Sequence, residues 1–276
     1  MNCYIKLIAL SLSLTLGFSS CEKDADVKLP AVESKLVISS FISPEDTIVK
    51  VGITISQPLY NNSNAGQYST VSNATVQISN GITFQTLTYN ADENYYFVSA
   101  SIFPITVGTT YNLTVSTPDG KNANASTSVP AQNSTLTYTA EAVNNQSNGD
   151  TYAFRTEWND TPGTEDYYRL VYYDKSVYNI DTTYWPVFSN NFSDKDKDGT
   201  AMKEQFEIYA YSGTGFSNGE LHLIHASKEY YLYHKKLTDA AFSGGPFSEP
   251  VQMYSNINGG YGVFAGYNPY KVLVSL

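Results

Sequence analysis

Short runs in which apolar and polar residues alternate recur from residue 35 onward in this chain of 276 residues. β-Branched residues are frequent in these runs, and turn-forming pairs such as Asn80-Gly81 separate them. Strands are predicted over residues 35–42, 47–56, 74–79, 82–89, 95–100, 110–117 and 122–129. Several short strands within about a hundred residues are the pattern of an immunoglobulin-like β-sandwich, which we predict for residues 35–130.

A second β-rich, sandwich-like domain is predicted over residues 131–276. The boundary is placed at Val129-Pro130-Ala131, because proline ends a strand ladder. One short helix is predicted over residues 228–241, where Ser227 can cap the first amide groups. The helical spacing predicts one apolar face, formed by Tyr230, Tyr233, Leu237 and Ala241. The predicted fold class is therefore all-β, with two successive β-rich domains.

Composition excludes several classes of function. The 16 Lys and Arg residues against 26 Asp and Glu residues give a net charge of −10. Nucleic-acid binding is not expected, because a phosphate backbone requires clustered basic side chains. Two cysteines are too few for a disulfide framework or a multi-cysteine zinc module.

The first 20 residues have the layout of a secretory signal. Lys6 precedes an apolar stretch, and small residues precede Cys21. The sequence Phe18-Ser19-Ser20-Cys21 resembles a bacterial lipobox, in which Cys21 becomes the lipidated first residue and carries acyl chains such as palmitate. Residues 21–34 are then a lipidated tether that holds the protein at a membrane. The alternative is an ordinary secretory signal with a chance cysteine.

One loop has the spacing of a calcium-binding site. Asp194, Asp196 and Asp198 alternate with lysines and precede Gly199 and Thr200. This spacing lets three carboxylates and the Thr200 carbonyl face one Ca²⁺ ion. The twelfth position is Gln205 in place of the usual bidentate Glu, and the flanks are predicted to be strands. The alternative is a polar hairpin turn.

The sequence offers no strong catalytic motif. A G-x-S-x-G pattern at Gly215–Gly219 precedes a predicted strand, whereas a nucleophile elbow requires a following helix. The three histidines are His222, His225 and His234. A metal or hydrolytic site would require them to converge with acids in one cleft. We therefore predict that the protein is not an enzyme.

Aromatic residues form the candidate binding surface. The chain contains 24 tyrosines, a residue type that favours both strands and recognition surfaces. Tyr184 and Trp185, followed by Pro186 and Phe188, are predicted to form an exposed cluster that contacts a protein, glycan or peptide. The alternative is that these rings pack within the sheets.

Several stretches resemble one family. The most specific are Pro246-Phe247-Ser248-Glu249-Pro250 and Gly259-Gly260-Tyr261-Gly262-Val263-Phe264-Ala265-Gly266-Tyr267. With Glu165-Asp166-Tyr167-Tyr168-Arg169, they resemble the Bacteroidota outer-membrane lipoprotein family catalogued as domain of unknown function 4249. The resemblance implies a β-rich, lipid-anchored outer-membrane protein, often encoded beside a TonB-dependent receptor. It implies no catalytic residues.

These features lead to two hypotheses about function. The first is a non-enzymatic accessory or binding subunit of a TonB-dependent nutrient transporter, anchored in the outer membrane. The acidic run Glu22-Lys23-Asp24-Ala25-Asp26 resembles a tag for export to the cell surface, and its alternative is a plain linker. The second hypothesis is a free-standing surface glycan-binding or adhesion module.

Overall fold

The first β-sandwich contains nine strands. A computed structural model describes residues 33–57, 69–146, 149–178, 181–211, 218–242 and 251–275. The nine strands are β1 (Leu36–Ile42), β2 (Ile48–Ile55), β3 (Ser69–Thr70), β4 (Thr75–Ser79), β5 (Phe84–Thr86), β6 (Thr88–Asn90), β7 (Tyr95–Ser99), β8 (Thr110–Ser116) and β9 (Asn122–Ser128). One sheet of the sandwich contains the strands β1-β2-β7-β6 in that order, and it faces a second sheet with the order β5-β4-β8-β9. This arrangement is the immunoglobulin-like topology.

Alternation of side chains builds the core of this first sandwich. Tyr111, Leu113 and Val115 of β8 point inward, while the residues between them are exposed. The turn between β4 and β5 forms at Asn80-Gly81, as predicted. The Asn80 side-chain oxygen accepts hydrogen bonds from the Ile82 and Thr83 amides, and Gly81 has a φ of 85°. The period-two pattern therefore specifies both the strands and their inward faces.

The second sandwich contains the remaining strands. They are β10 (Leu136–Gln146), β11 (Gly149–Asn159), β12 (Tyr167–Tyr178), β13 (Asp181–Ser193), β14 (Ala201–Tyr211), β15 (Asn218–Ala226) and β16 (Gly260–Ser275). The three-stranded sheet β10-β11-β14 packs against a layer formed by the neighbouring strands β13, β12, β15 and β16. Their core contains Phe154, Trp158, Tyr168 and Tyr172. The sequence pattern also predicts a strand over residues 251–255, which is wrong, because residues 251–257 form no strand.

Strand β16 joins the two sandwiches. Its first half pairs with β1 in parallel, from Leu36↔Gly260 to Ile42↔Gly266, and its second half pairs antiparallel with β15. The result is a nine-stranded sheet that contains strands of both predicted domains. Phe264 of β16 is buried in the core of the first sandwich. Residues Ser34–Leu276 cluster as one compact unit, and the division at residue 130 stays a prediction.

Helix α1 (Lys228–Phe242) covers part of the face of the nine-stranded sheet opposite the second core. It begins after Ser227, whose hydroxyl accepts a hydrogen bond from the Tyr230 amide at 3.3 Å, as expected of an N-cap. Tyr230 and Tyr233 face the sheet, but Leu237 is 42 % exposed and Ala241 is exposed. The predicted apolar face is therefore wrong over its second half. No helix within the described ranges is long and apolar enough to span a membrane.

The predicted fold class is confirmed: over the residues that the structure describes, the chain is all-β, with an immunoglobulin-like sandwich, a second sandwich-like segment and one helix. The signal peptide, Cys21 and the tether up to residue 32 lie outside the described residues, and so does most of the G-x-S-x-G pattern.

Candidate functional site

Three carboxylates converge at one end of the second sandwich. Asp160 follows β11, Asp166 precedes β12 and Asp194 follows β13. Each offers one oxygen within 4.8 Å of the other two, and the side chains are 6 %, 8 % and 3 % exposed respectively. Three buried carboxylates in one place are unusual, because burial of an unpaired charge costs free energy.

Hydrogen bonds hold two of these carboxylates in place. Asp160 accepts hydrogen bonds from the Tyr168 hydroxyl and from the Gly199 amide, both at 2.9 Å. Asp166 accepts one from the Thr164 hydroxyl at 2.9 Å and contacts His225 Nε2 at 3.1 Å. Within the described ranges, no lysine or arginine forms an ion pair with any of the three carboxylates.

His225 supplies the nearest basic group. Its Nδ1 lies 2.6 Å from the Ala131 carbonyl oxygen, and its Nε2 faces Asp166. Both ring nitrogens therefore face oxygen atoms. Even a charged ring would supply only one positive charge against three carboxylates.

The sequence predicted a different set of ligands. Asp194 belongs to the cluster, but Asp196, Asp198 and Thr200 are exposed. Asp198 accepts a hydrogen bond from the Gly163 amide, and the Thr200 carbonyl accepts one from the Asp160 amide. The structure therefore does not bring Asp196, Asp198 and Thr200 into the buried cluster, and a cation site formed by all four residues stays a prediction. The alternative of a hairpin turn is wrong, because β13 and β14 belong to different sheets.

The electrostatics of the cluster favour a cation. Burial raises the pKa of Asp194, and the charges of Asp160, Asp166 and Asp198 raise it further, while a hydrogen bond from the Asp166 backbone opposes them. A divalent cation would neutralise these oxygens and favour the ionised form. Ca²⁺ binding stays a prediction, now centred on Asp160, Asp166 and Asp194.

No local pattern points to Asp160 and Asp166. Both lie in the connection between β11 and β12, whereas Asp194 lies in the connection after β13. The only local signal is that Asp160 directly follows the strand predicted over residues 152–159 and that Asp166 directly precedes the strand predicted over residues 167–174. The fold, rather than the spacing, brings them together.

Only part of the predicted aromatic surface is exposed. Tyr184 is 43 % exposed and Trp185 is 62 % exposed, and both lie on β13, an edge strand of the nine-stranded sheet. Phe188 was predicted to join them, but it packs against the second core and stacks on Phe206 at a centroid distance of 3.9 Å. Val187, which is 49 % exposed, takes its place in the surface.

The three histidines do not converge. His222 and His234 both line a cavity beside α1, whereas His225 lies on the opposite face of the sheet, stacked on Tyr168. The three histidines therefore do not meet the condition stated above for a metal or hydrolytic site, which is that all three converge in one cleft. The prediction that the protein is not an enzyme stays a prediction.

Comparisons with known proteins identify a sequence family and little else. Residues 22–271 match the family described as "Domain of unknown function" 4249. No curated protein matches. A solved structure described as "Crystal structure of tetra-tandem repeat in extending region of large adhesion protein" is 12 % identical, with a TM-score of 0.22. That alignment covers 88 % of this chain and 50 % of the other, so this chain spans half the length of that protein.

Proposed function

The chain belongs to the family of domain of unknown function 4249, and from that premise we propose that it is a non-enzymatic binding subunit, anchored by lipid on Cys21 at the surface of the outer membrane. Its partner would be a TonB-dependent nutrient transporter. The identity of the partner and the Bacteroidota origin come from the family resemblance, and the binding role comes from the chain's own residues.

The observation that supports a binding role is the exposed surface on β13. Tyr184, Trp185 and Val187 are large apolar side chains at three of four consecutive positions of an edge strand, and all are between 43 % and 62 % exposed. Exposed apolar patches on soluble domains mark interaction sites, and tryptophan and tyrosine are frequent binding hot spots. An edge strand also presents unpaired backbone groups to a partner.

Recovery of the partner from membranes tests this proposal. Full-length protein extracted with mild detergent should bring down a TonB-dependent barrel. Trp185→Ala should reduce that recovery at least about tenfold, because truncation of a hot-spot residue costs more than about 2 kcal/mol of binding. Ile102→Ala, at an equally exposed residue of the first sandwich, is the matched control and should leave recovery unchanged. Failure to recover such a barrel from any preparation would contradict the proposal.

The lipid anchor is tested separately. Mass spectrometry of the purified native protein should find Cys21 as an acylated amino terminus. Cys21→Ser should release the protein from the membrane fraction, because two or more acyl chains are required for stable anchoring. An unprocessed amino terminus, or a cysteine without lipid, would contradict this part of the proposal.

A free-standing glycan-binding or adhesion module is the second candidate. The favouring observation is that the exposed Tyr184 hydroxyl is hydrogen-bonded to Glu220, which places a ring beside a polar group as in sugar sites. This candidate predicts that the protein alone binds polysaccharide and that Tyr184→Ala or Trp185→Ala weakens the binding. Retention unchanged by both substitutions would remove it.

A further inference from the structure

Two adjoining cavities lie on the face of the nine-stranded sheet that also carries α1. Their volumes are about 380 and 400 Å³, and they share Phe41, Asp46 and Tyr267 in their walls. We name the two adjoining cavities together the Phe41 groove. Each cavity has the volume of a small-molecule site. Adjoining cavities of this size suit a ligand made of linked units.

Aromatic rings form much of the wall. Phe41 packs edge-on against Tyr230, with ring centroids 5.6 Å apart. The ring centroids of Tyr230 and Tyr267 are 5.5 Å apart, and the angle between the two ring planes is 30°. Farther along, the ring centroids of Tyr173 and His222 are 4.7 Å apart. Phe41, Tyr173 and Tyr267 are only half-buried, so part of each side chain remains accessible. Such rings can pack against the apolar faces of a ligand.

The charges of the residues that line the groove balance, while the nearby Arg169 is outside the lining and donates hydrogen bonds to Ser189 and Asn191. The groove walls contain two carboxylates, Glu45 and Asp46, and two lysines, Lys50 and Lys271, so their sum is 2 − 2 = 0. Glu45 forms an ion pair with Lys271, and Asp46 accepts a hydrogen bond from the Tyr267 hydroxyl at 3.1 Å. On a chain of net charge −10, a balanced groove favours a neutral ligand.

The two histidines of the groove add hydrogen-bond acceptors. His234 Nδ1 donates to the Tyr230 carbonyl oxygen at 2.9 Å, and burial lowers the pKa of His234 to about 4. Burial also lowers the pKa of His222, whose Nε2 lies 2.8 Å from Glu220. At neutral pH each ring is uncharged, and the nitrogen without the proton accepts. The groove therefore offers acceptors, a tyrosine hydroxyl and ring faces.

The strands beneath the groove leave few backbone partners for a peptide. The order β13-β12-β15-β16-β1-β2 is hydrogen-bonded throughout, and extended peptides generally bind by pairing with a free strand edge. A sugar chain needs no such edge, since its hydroxyls bond to side chains and its ring faces pack on aromatic rings. We propose that the Phe41 groove binds a neutral linear oligosaccharide, an inference that rests on the proposed binding function and names its ligand class.

Calorimetry with defined probes tests the proposal on the full-length protein in detergent. The probes are cellohexaose, xylohexaose and mannohexaose, their disaccharides, hexagalacturonate, and an uncharged unstructured peptide. At least one neutral hexasaccharide should bind, about tenfold more tightly than its disaccharide, because it occupies both cavities. Tyr173→Leu should weaken this binding about tenfold by removing a ring. Tyr267→Phe keeps the ring, removes the hydroxyl bonded to Asp46, and should weaken binding about threefold.

The matched control is Tyr261→Leu, which removes a 45 % exposed ring from the same strand outside the groove and should leave affinity unchanged. The proposal is overturned by no binding of any neutral hexasaccharide, by equal affinity for the disaccharide, or by preference for hexagalacturonate or the peptide. Binding unchanged in both Tyr173→Leu and Tyr267→Phe also overturns it. Groove variants should still recover the transporter from membranes, so failure of the ligand proposal is distinguishable from failure of the proposed function.

Discussion

Asp194 is the residue whose substitution best tests the carboxylate cluster. Replacement by Asn keeps the shape but removes one of three buried like charges. In a chelator at pH 7 we expect Asp194→Asn to stabilise the protein by about 1–2 kcal/mol, a rise in Tm of roughly 2–6 °C. In millimolar Ca²⁺ we expect the wild type alone to gain stability, because a cation that binds only the folded state stabilises it. Thermal unfolding monitored by circular dichroism provides the measurement.

The pH dependence of stability tests the direction of this effect in the same variant. The pKa of Asp194 is raised in the folded state, so the folded protein retains a proton that the unfolded chain has lost above its pKa of 3.8. Stability in chelator should therefore decrease as pH rises through this window, and the decrease should be smaller in Asp194→Asn. Asp196→Asn, in the same loop but exposed, should change neither profile. Equal behaviour of the two variants would contradict a role for Asp194 in the cluster.

Gly262 is a residue at which no side chain can be accommodated. Its φ is 104°, and a Cβ atom would collide with the carbonyl oxygen of Ile38 on the paired strand β1. We expect Gly262→Ala to destabilise the protein by about 3 kcal/mol or more in urea unfolding. Gly120→Ala is the matched control, because Gly120 has a φ of 87° with open space around it, and should cost only about 1 kcal/mol. Similar losses in both variants would show that backbone strain alone matters.

Local patterns predict elements well where the pattern is strong. Alternation identified strands such as β8 and β9, and Ser227 identified the start of α1. The pattern failed where tertiary contacts decide. The alternation predicts two short strands over residues 261–265 and 271–275, yet β16 is one strand that continues through Pro269 to Ser275. Leu237 fits the helical period, but only the first half of α1 packs against the sheet, and Leu237 is exposed.

The start of α1 is also where the helix is fixed to both sandwiches. The Ser227 hydroxyl accepts hydrogen bonds from the Tyr230 amide, from Thr127 of β9 and from the Gly266 amide of β16. We expect Ser227→Ala to cost about 2 kcal/mol in urea unfolding, above the usual loss of an N-cap. The Tyr230 amide loses its side-chain acceptor, and the Thr127 hydroxyl and the Gly266 amide each lose one of two acceptors. Thr238→Ala, in the same helix, removes only a hydroxyl that donates to the His234 carbonyl and should be near neutral. A loss no greater for Ser227→Ala would contradict this role.

Sequence patterns along the chain specify which residues are buried but not which strands meet. Val129 belongs to the first core and Leu136 to the second, but Phe264 returns to the first core, so the division into two domains at residue 130 stays a prediction. The pairing of β16 with β1 joins residues more than 200 positions apart, and no local signal indicates it. The same long-range pairings place Asp160 near Asp194, so the site depends on topology that the sequence alone did not provide.

The shared strand predicts that both sandwiches unfold together. The chain has two tryptophans, and Trp158 lies in the second core, so in a Trp185→Phe background its fluorescence reports that core alone. Ile53→Ala creates a cavity in the first core at a residue that is 1 % exposed, and should cost about 2–5 kcal/mol. If β16 couples the cores, the urea midpoint from Trp158 fluorescence decreases as much as the midpoint from circular dichroism. Ile82→Ala, at a side chain that is 92 % exposed, should move neither midpoint. A Trp158 midpoint that stays in place while the circular dichroism transition splits in two would establish two separable domains divided near residue 130.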